Sequence, residues 1–162
     1  MEIEKSWAEI SYFVNNKAES CIFATTDADG TPHATPIGSL FLTRPGKGYY
    51  FEKYPTTLPA HYSANPKLCI LAMRLTMWGF ISGMVRGRFA ALPGIRLHAT
   101  AGVLREATQD EMRLFAHRVR QFKFFKGYKL LWSNMSRVRE LEIHSVDPLT
   151  VGPMTKGAKL CR

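Results

Sequence analysis

The chain has 162 residues, with no internal repeat and no low-complexity tract, which predicts one domain with a hydrophobic core of its own. Its three cysteines lack the spacing of a metal site or a disulfide framework, which argues against a disulfide-stabilised secreted scaffold and predicts reduced thiols in a cytoplasmic protein. The formal net charge of +9 favours anionic partners, namely phosphate-bearing ligands, nucleic acid or an anionic membrane surface.

The positive charge is concentrated towards the C-terminus. Residues 1–66 hold 5 basic and 7 acidic side chains, residues 67–112 hold 6 and 3, and residues 113–162 hold 11 and 3. The sequence contains no glycine-rich phosphate loop and no nucleophile elbow, so nothing in it indicates a nucleoside triphosphatase or a hydrolase. The first 17 residues also lack the pattern of a signal peptide, which again favours the cytoplasm.

The N-terminal segment predicts a helix over residues 6–17. Ser6 and Glu9 have the spacing of a capping box, and Trp7, Ile10 and Val14 form an apolar stripe at helical spacing. We expect this stripe to pack against one end of a barrel.

Residues 20–66 predict three strands and a short helix. The Asp29-Gly30 step predicts a hairpin between strands 20–26 and 32–43, and a third strand follows at 48–53. Pro32 and Pro36 cannot donate ladder hydrogen bonds, so the second strand belongs at a sheet edge or contains a bulge, which leaves backbone groups for a ligand. Prolines 55 and 66 bracket a segment with one or two helical turns, whose first amides form an anion site in principle.

The middle of the chain approaches the length of a membrane span, since residues 68–85 carry only one charge, Arg74. Its first half is typical of a buried central strand, 67–74, and its second half, 75–85, of a short amphipathic insertion. We therefore expect no transmembrane span.

Strands and helices alternate in the last part of the chain. Residues 86–92 and 95–105 predict a second hairpin around Pro93-Gly94, and the capping box Thr108 to Glu111 starts a helix that should run to about 121. A second helical stretch is expected within 123–134, and strict alternation over 138–146 predicts the last strand. We divide the chain into a domain over residues 1–148 and a loosely packed extension over 149–162.

Three short motifs resemble the flavin-binding split β-barrels related to pyridoxamine 5'-phosphate oxidase. They are Asp29 to Ile37, Gly48 to Phe51, and Ser63 to Lys67 leading into an apolar strand, and the resemblance covers about residues 18–106. It implies a mainly β fold, a split barrel with flanking helices that works as a homodimer. It also implies an FMN-binding protein or flavin-dependent oxidoreductase acting on an unidentified small molecule.

The same resemblance implies where the cofactor lies. Thr35, Pro36 and Ile37 would line the flavin ring, and the side chains near the phosphate and ribityl chain would be Phe51, Glu52, Lys53, Thr56 and Thr57. Many relatives begin the following helix with an arginine and a lysine, where this chain has Thr57-Leu58. Because the family binds its cofactor at a dimer interface, Arg86 and Arg88 are candidates to complete the site. No residue identifies itself as a catalytic acid or base.

The sequence also allows other cofactors, or none. Some split-barrel relatives hold haem through a histidine, for which His33 or His61 would serve, and a deazaflavin is a further alternative. A third reading is a cofactor-free basic module that binds nucleic acid or an anionic surface through residues 118–139. The aromatic spacing in that region favours core packing over nucleic acid, and the five histidines have no metal-site spacing.

Overall fold

A computed structural model describes residues 3–54, 56–74, 76–132 and 135–160. The strands are β1 Ser20–Thr26, β2 Pro32–Pro36, β3 Leu40–Leu42, β4 Lys47–Phe51, β5 Lys67–Met73, β6 Gly94–Glu106 and β7 Arg137–Pro148. The helices are α1 Ile3–Tyr12, α2 Thr57–Ala64, α3 Met77–Arg86, α4 Gln109–Arg118 and α5 Gly127–Trp132. A π-helical turn, Phe13–Lys17, follows α1, and 3-10 turns occur at Arg120–Phe122 and Gly152–Thr155.

The seven strands form one antiparallel sheet in the order β2-β1-β5-β6-β7-β4-β3. Its two edge strands, β2 and β3, are consecutive in the chain and are joined by only residues 37–39. Such a short connection brings the two edges of the sheet near each other, and the result is a split barrel with flanking helices. The edge position of β2 also explains how it accommodates Pro32 and Pro36, because an edge strand has one side that needs no ladder donor.

The larger core cluster joins side chains of the sheet to α1 and α2. Phe23, Tyr50, Ile70 and Leu97 are fully buried there, and Ile10 of α1 belongs to the same cluster. Hydrogen bonds fix the N-terminal helix to the sheet: the Trp7 indole donates to the Thr43 carbonyl at 2.7 Å, and the Asn15 amide both donates to and accepts from the Leu42 backbone at 2.9 Å. The predicted packing of the first helix is therefore confirmed.

A second, smaller cluster lies under α4 and α5. Phe41, Tyr49 and Phe51 from β3 and β4 meet Phe115 and Val119 from the region of α4. The rings of Phe51 and Phe115 are 4.8 Å apart, and the Trp132 side chain of α5 packs at the margin of the same cluster. This contact places the two helices beside the gap between the sheet edges.

Several predicted boundaries are wrong for identifiable reasons. The predicted strand 32–43 is two strands, because residues 37–39 pass from one sheet edge to the other. The predicted strand 86–92 is absent: Arg86 ends α3, and β6 pairs with β5 on one side and β7 on the other, so neither of its edges is open.

The helix boundaries also differ from the predictions. Ser6 lies inside α1 rather than at its cap, and α4 ends at Arg118 rather than at about 121. The capping box at Thr108 and Glu111 is confirmed, and the tail packs more firmly than expected, since Leu160 is buried. Within the described residues, no helix combines the length and apolar character that a bilayer crossing requires.

Candidate binding cleft at the strand break

A cleft of about 730 Å³ opens where the chain crosses between the sheet edges. One wall is the break at residues 37–39 with the adjoining ends of β1, β2 and β4, and the opposite wall comes from α4, α5 and the turn between them. The volume is within the range of about 300–1,000 Å³ that small-molecule and cofactor sites occupy. The cleft is therefore large enough for a ligand of nucleotide size.

The residues of the break form hydrogen bonds with two different strands, β1 and β4. The Ile37 amide donates to the Cys21 carbonyl at 2.8 Å, whereas the Ser39 hydroxyl donates to the Phe51 carbonyl at 3.1 Å and accepts from the Phe51 amide at 3.2 Å. Between them, Gly38 is exposed, and its amide has no hydrogen-bond partner among the residues that the structure describes. The break thus contains a backbone donor without a described partner, in a residue that lines the cleft.

Arg118 supplies a partly buried positive charge at the other wall. Its guanidinium donates to the Leu40 carbonyl at 2.6 Å and to the Asn15 carbonyl at 3.1 Å, and its central carbon lies 3.6 Å from the centre of the Phe41 ring. Burial lowers the pKa of Arg118, and no carboxylate of the described part of the chain forms an ion pair with it. A partly buried cation that has only neutral acceptors favours an anion in the adjacent space.

Apolar side chains and a hydrogen bond from Tyr54 to α5 complete the cleft. Phe51 and Trp132 contribute flat apolar surface to the lining. The Tyr54 hydroxyl donates to the Leu131 carbonyl at 2.9 Å, which ties α5 to the chain segment that follows β4. The Lys53 ammonium lies 4.8 Å from the centre of the Tyr54 ring, at the rim of the cleft. The arrangement combines an apolar slot, a strand edge, two cations and one carboxylate, that of Glu19.

The cleft brings together half of the residues predicted to bind the cofactor. Its lining contains Thr35, Pro36, Ile37, Phe51 and Lys53.

The other predicted residues lie elsewhere. Thr56 and Thr57 are exposed at the start of α2, and Arg86 and Arg88 are exposed at the end of α3. The Glu52 carboxylate is 5% exposed and accepts two hydrogen bonds from the Arg139 guanidinium, at 2.7 and 2.8 Å, and a short one from the Tyr50 hydroxyl. None of these five side chains lines the cleft.

Arg118 and Trp132 are cleft residues that the sequence did not single out. The signal for Arg118 was present: Phe115, Arg118, Val119 and Phe122 share one helix face, so an arginine stands in an apolar stripe. Such a position is at least partly buried in a globular protein, and an arginine there needs acceptors or an anion.

The two histidines proposed as haem ligands lie outside the cleft. His61 is buried, with Nδ1 2.8 Å from the Thr25 hydroxyl, and His33 Nε2 is 3.3 Å from Asp27. Their rings are 4.5 Å apart. Across the described ranges, no three histidine, cysteine or acidic side chains form a group able to hold a metal ion.

A family model for pyridoxamine 5'-phosphate oxidase matches residues 6–147, most of the chain. The chain belongs to the pyridoxamine 5'-phosphate oxidase family. This confirms the resemblance drawn from the three motifs and extends it beyond residue 106. No curated protein matches the sequence.

Solved structures agree with this assignment at the level of the fold. An FMN-binding protein from Syntrophomonas wolfei subsp. wolfei has a TM-score of 0.64 at 13% identity, covering 91% of this chain and 89% of its own. HupZ from Group A Streptococcus has a TM-score of 0.55 at 19% identity, with 90% and 94% covered. HutZ, the haem storage protein from Vibrio cholerae, has a TM-score of 0.51 at 11% identity, with 91% and 95% covered.

Proposed function

We propose that the protein binds FMN in the cleft at the strand break. The observation that carries this proposal is the partly buried Arg118 guanidinium, which lies in the cleft lining without a carboxylate partner in the described part of the chain. An FMN phosphate is a dianion, and a charge-assisted hydrogen bond to it is worth about 1.5–3 kcal/mol. The family assignment and the FMN-binding structural neighbour support the same cofactor.

The other parts of the cleft fit the rest of the molecule. The Gly38 amide and the adjoining strand edge suit the polar side of an isoalloxazine ring, and Trp132 suits its apolar end. Phe51 keeps its proposed place near the ribityl chain. Lys53 at the rim is a second cation for the phosphate, which makes up in part for the arginine and lysine missing at the start of α2. Thr35, Pro36 and Ile37 keep their proposed role along the ring.

We further propose that the cleft orients a small substrate for redox chemistry rather than acting on it through an acid or base. Bound flavin would accept a hydride, and the chain would position the donor and exclude water. Cys21 is the thiol in the lining, and burial raises its pKa to about 11, so it is protonated and a poor nucleophile near neutral pH. The homodimer and the cytoplasmic location stay predictions.

The visible absorption spectrum of the purified protein, followed by titration of the colourless form with FMN, tests this function. We expect the two visible bands of oxidised flavin, and quenching of flavin fluorescence that saturates at one FMN per chain. A Soret band would show that the cofactor is haem rather than FMN, and a single band at shorter wavelength would show that it is a deazaflavin. A colourless protein that takes up none of these would refute the proposal and favour the cofactor-free basic module.

A further inference from the structure

The apolar side chains of α3 face solvent instead of the core. Five of them fall within an arc of about 120° on the helix, since successive residues are about 100° apart. They are all exposed: Met77 72%, Trp78 81%, Ile81 45%, Met84 58% and Val85 83%. The apolar stripe of a surface helix normally packs on the core. Here it points away, and we call these five residues the α3 stripe.

The opposite side of α3 holds the helix on the protein. Gly83 is buried against Phe89, and a β-carbon at that position would come within 2.4 Å of the Phe89 ring. The Thr76 hydroxyl accepts from the Gly79 amide at 3.1 Å and caps the first turn. Gly87, with φ of 66°, ends the last turn in the left-handed region. A capped and anchored helix therefore presents the α3 stripe outward.

The chain segment that carries the α3 stripe is basic. Residues 53–105 contain seven lysines and arginines and no aspartate or glutamate. Arg74, Arg86 and Arg88 are exposed close to the two ends of α3. The C-terminal segment brings Lys159 to the same region, because the Leu92 amide donates to the Lys159 carbonyl at 2.9 Å. The α3 stripe thus lies among cations that have no local acidic counterpart in the sequence.

We propose that α3 is an interfacial helix that docks the protein on an anionic membrane surface. Such a surface offers acyl chains to the α3 stripe and negative headgroups to the arginines, and a tryptophan is well suited to the boundary between them. This proposal assigns Arg86 and Arg88 to the docking surface instead of to the cofactor site of a second copy. Packing two such faces together would bring the two sets of arginines together, so a second copy suits the stripe less well. At ten residues α3 is about 15 Å long, so it lies in the plane of the surface.

Sedimentation with lipid vesicles tests the docking surface on the full chain. We expect binding to phosphatidylcholine–phosphatidylglycerol vesicles, much weaker binding to phosphatidylcholine alone, and loss of binding as salt is added. Trp78→Ser should lower the partition coefficient about tenfold. The double substitution Arg86→Gln and Arg88→Gln should lower it roughly 30-fold and flatten the salt dependence.

Phe124→Ser is the matched control, because Phe124 is 98% exposed and lies outside α3. It should leave vesicle binding unchanged, and circular dichroism should give the same fold for every variant. The proposal fails if the chain does not bind anionic vesicles at low salt, or if Phe124→Ser weakens binding as much as Trp78→Ser. It also fails if Trp78→Ser leaves vesicle binding intact and instead abolishes self-association or binding to duplex DNA.

Discussion

The substitution Glu52→Gln separates a structural role for this residue from a role in cofactor binding. Glu52 and Arg139 are 5% and 13% exposed and form two hydrogen bonds of 2.7 and 2.8 Å. The Tyr50 hydroxyl donates to the same carboxylate. The guanidinium also donates to the Gly102 carbonyl at 3.0 Å, so the pair connects β4, β6 and β7.

The expected cost follows from this geometry. Breaking a buried ion pair by removing one partner costs about 3–5 kcal/mol, because the other charge stays buried. Glutamine keeps the shape and one acceptor, so we expect the free energy of unfolding to fall by roughly 2–3 kcal/mol. In a chain of this size that loss lowers the melting temperature by roughly 5–10 °C.

Urea unfolding and FMN titration together provide the assay. The unfolding midpoint should fall at an unchanged denaturant slope, whereas the FMN dissociation constant should stay the same, since Glu52 does not line the cleft. Glu142→Gln is the control: it removes the same charge from an exposed ion pair with Lys47 and should change stability little. A stable Glu52→Gln variant that binds FMN many times more weakly would refute this reasoning.

Three further predictions concern the cleft, the core and the response to acid. Arg118→Leu should weaken FMN binding by about tenfold to a hundredfold in a fluorescence titration, because a partly buried charge-assisted donor is lost. Unchanged affinity would show that Arg118 does not bind the phosphate. Tyr49→Phe should change the free energy of unfolding by less than about 1 kcal/mol, because the buried Tyr49 hydroxyl has no hydrogen-bond partner in the described part of the chain. Tyr50→Phe should lower it by about 1.5–3 kcal/mol, because the Tyr50 hydroxyl donates to a carboxylate. Equal effects of the two on urea unfolding would contradict this. The Arg105 guanidinium lowers the pKa of Glu111, so this carboxylate stabilises the fold above its usual pKa of 4.5, and that contribution is lost as the pH falls through the lowered value. Glu111→Gln removes the charge but keeps a residue able to cap α4. The variant should therefore have a lower free energy of unfolding than the parent protein near neutral pH and the same one in acid. A constant difference at all pH values would show that the ion pair is not responsible.

Local patterns determined the parts of the fold whose interactions lie close together in the sequence. The Thr108–Glu111 capping box is such a case, because its two hydrogen bonds join residues three positions apart. The alternation that predicted the last strand is another, since it requires only that one face of β7 be buried. The prolines of β2 likewise predicted an edge or a bulge, and the strand is an edge.

The local pattern of residues 86–92 also predicted a strand, and this strand does not form. The residues suit a strand, but a strand needs an open neighbour, and both edges of β6 are already paired. Which strands become neighbours depends on the whole sheet and on α3, which separates β5 from this segment.

What the sequence by itself determined about this protein is its family, its antiparallel strands and the location of the cleft on residues 35–37. Only the tertiary structure decided which side chains serve the cleft. Arg118 takes its position from carbonyls 78 and 103 residues away, and Glu52 is turned to Arg139, 87 residues away. Such contacts form only when the sheet curves and brings its edges together, because a side chain takes its partner from the elements that surround it in space rather than from its neighbours along the chain.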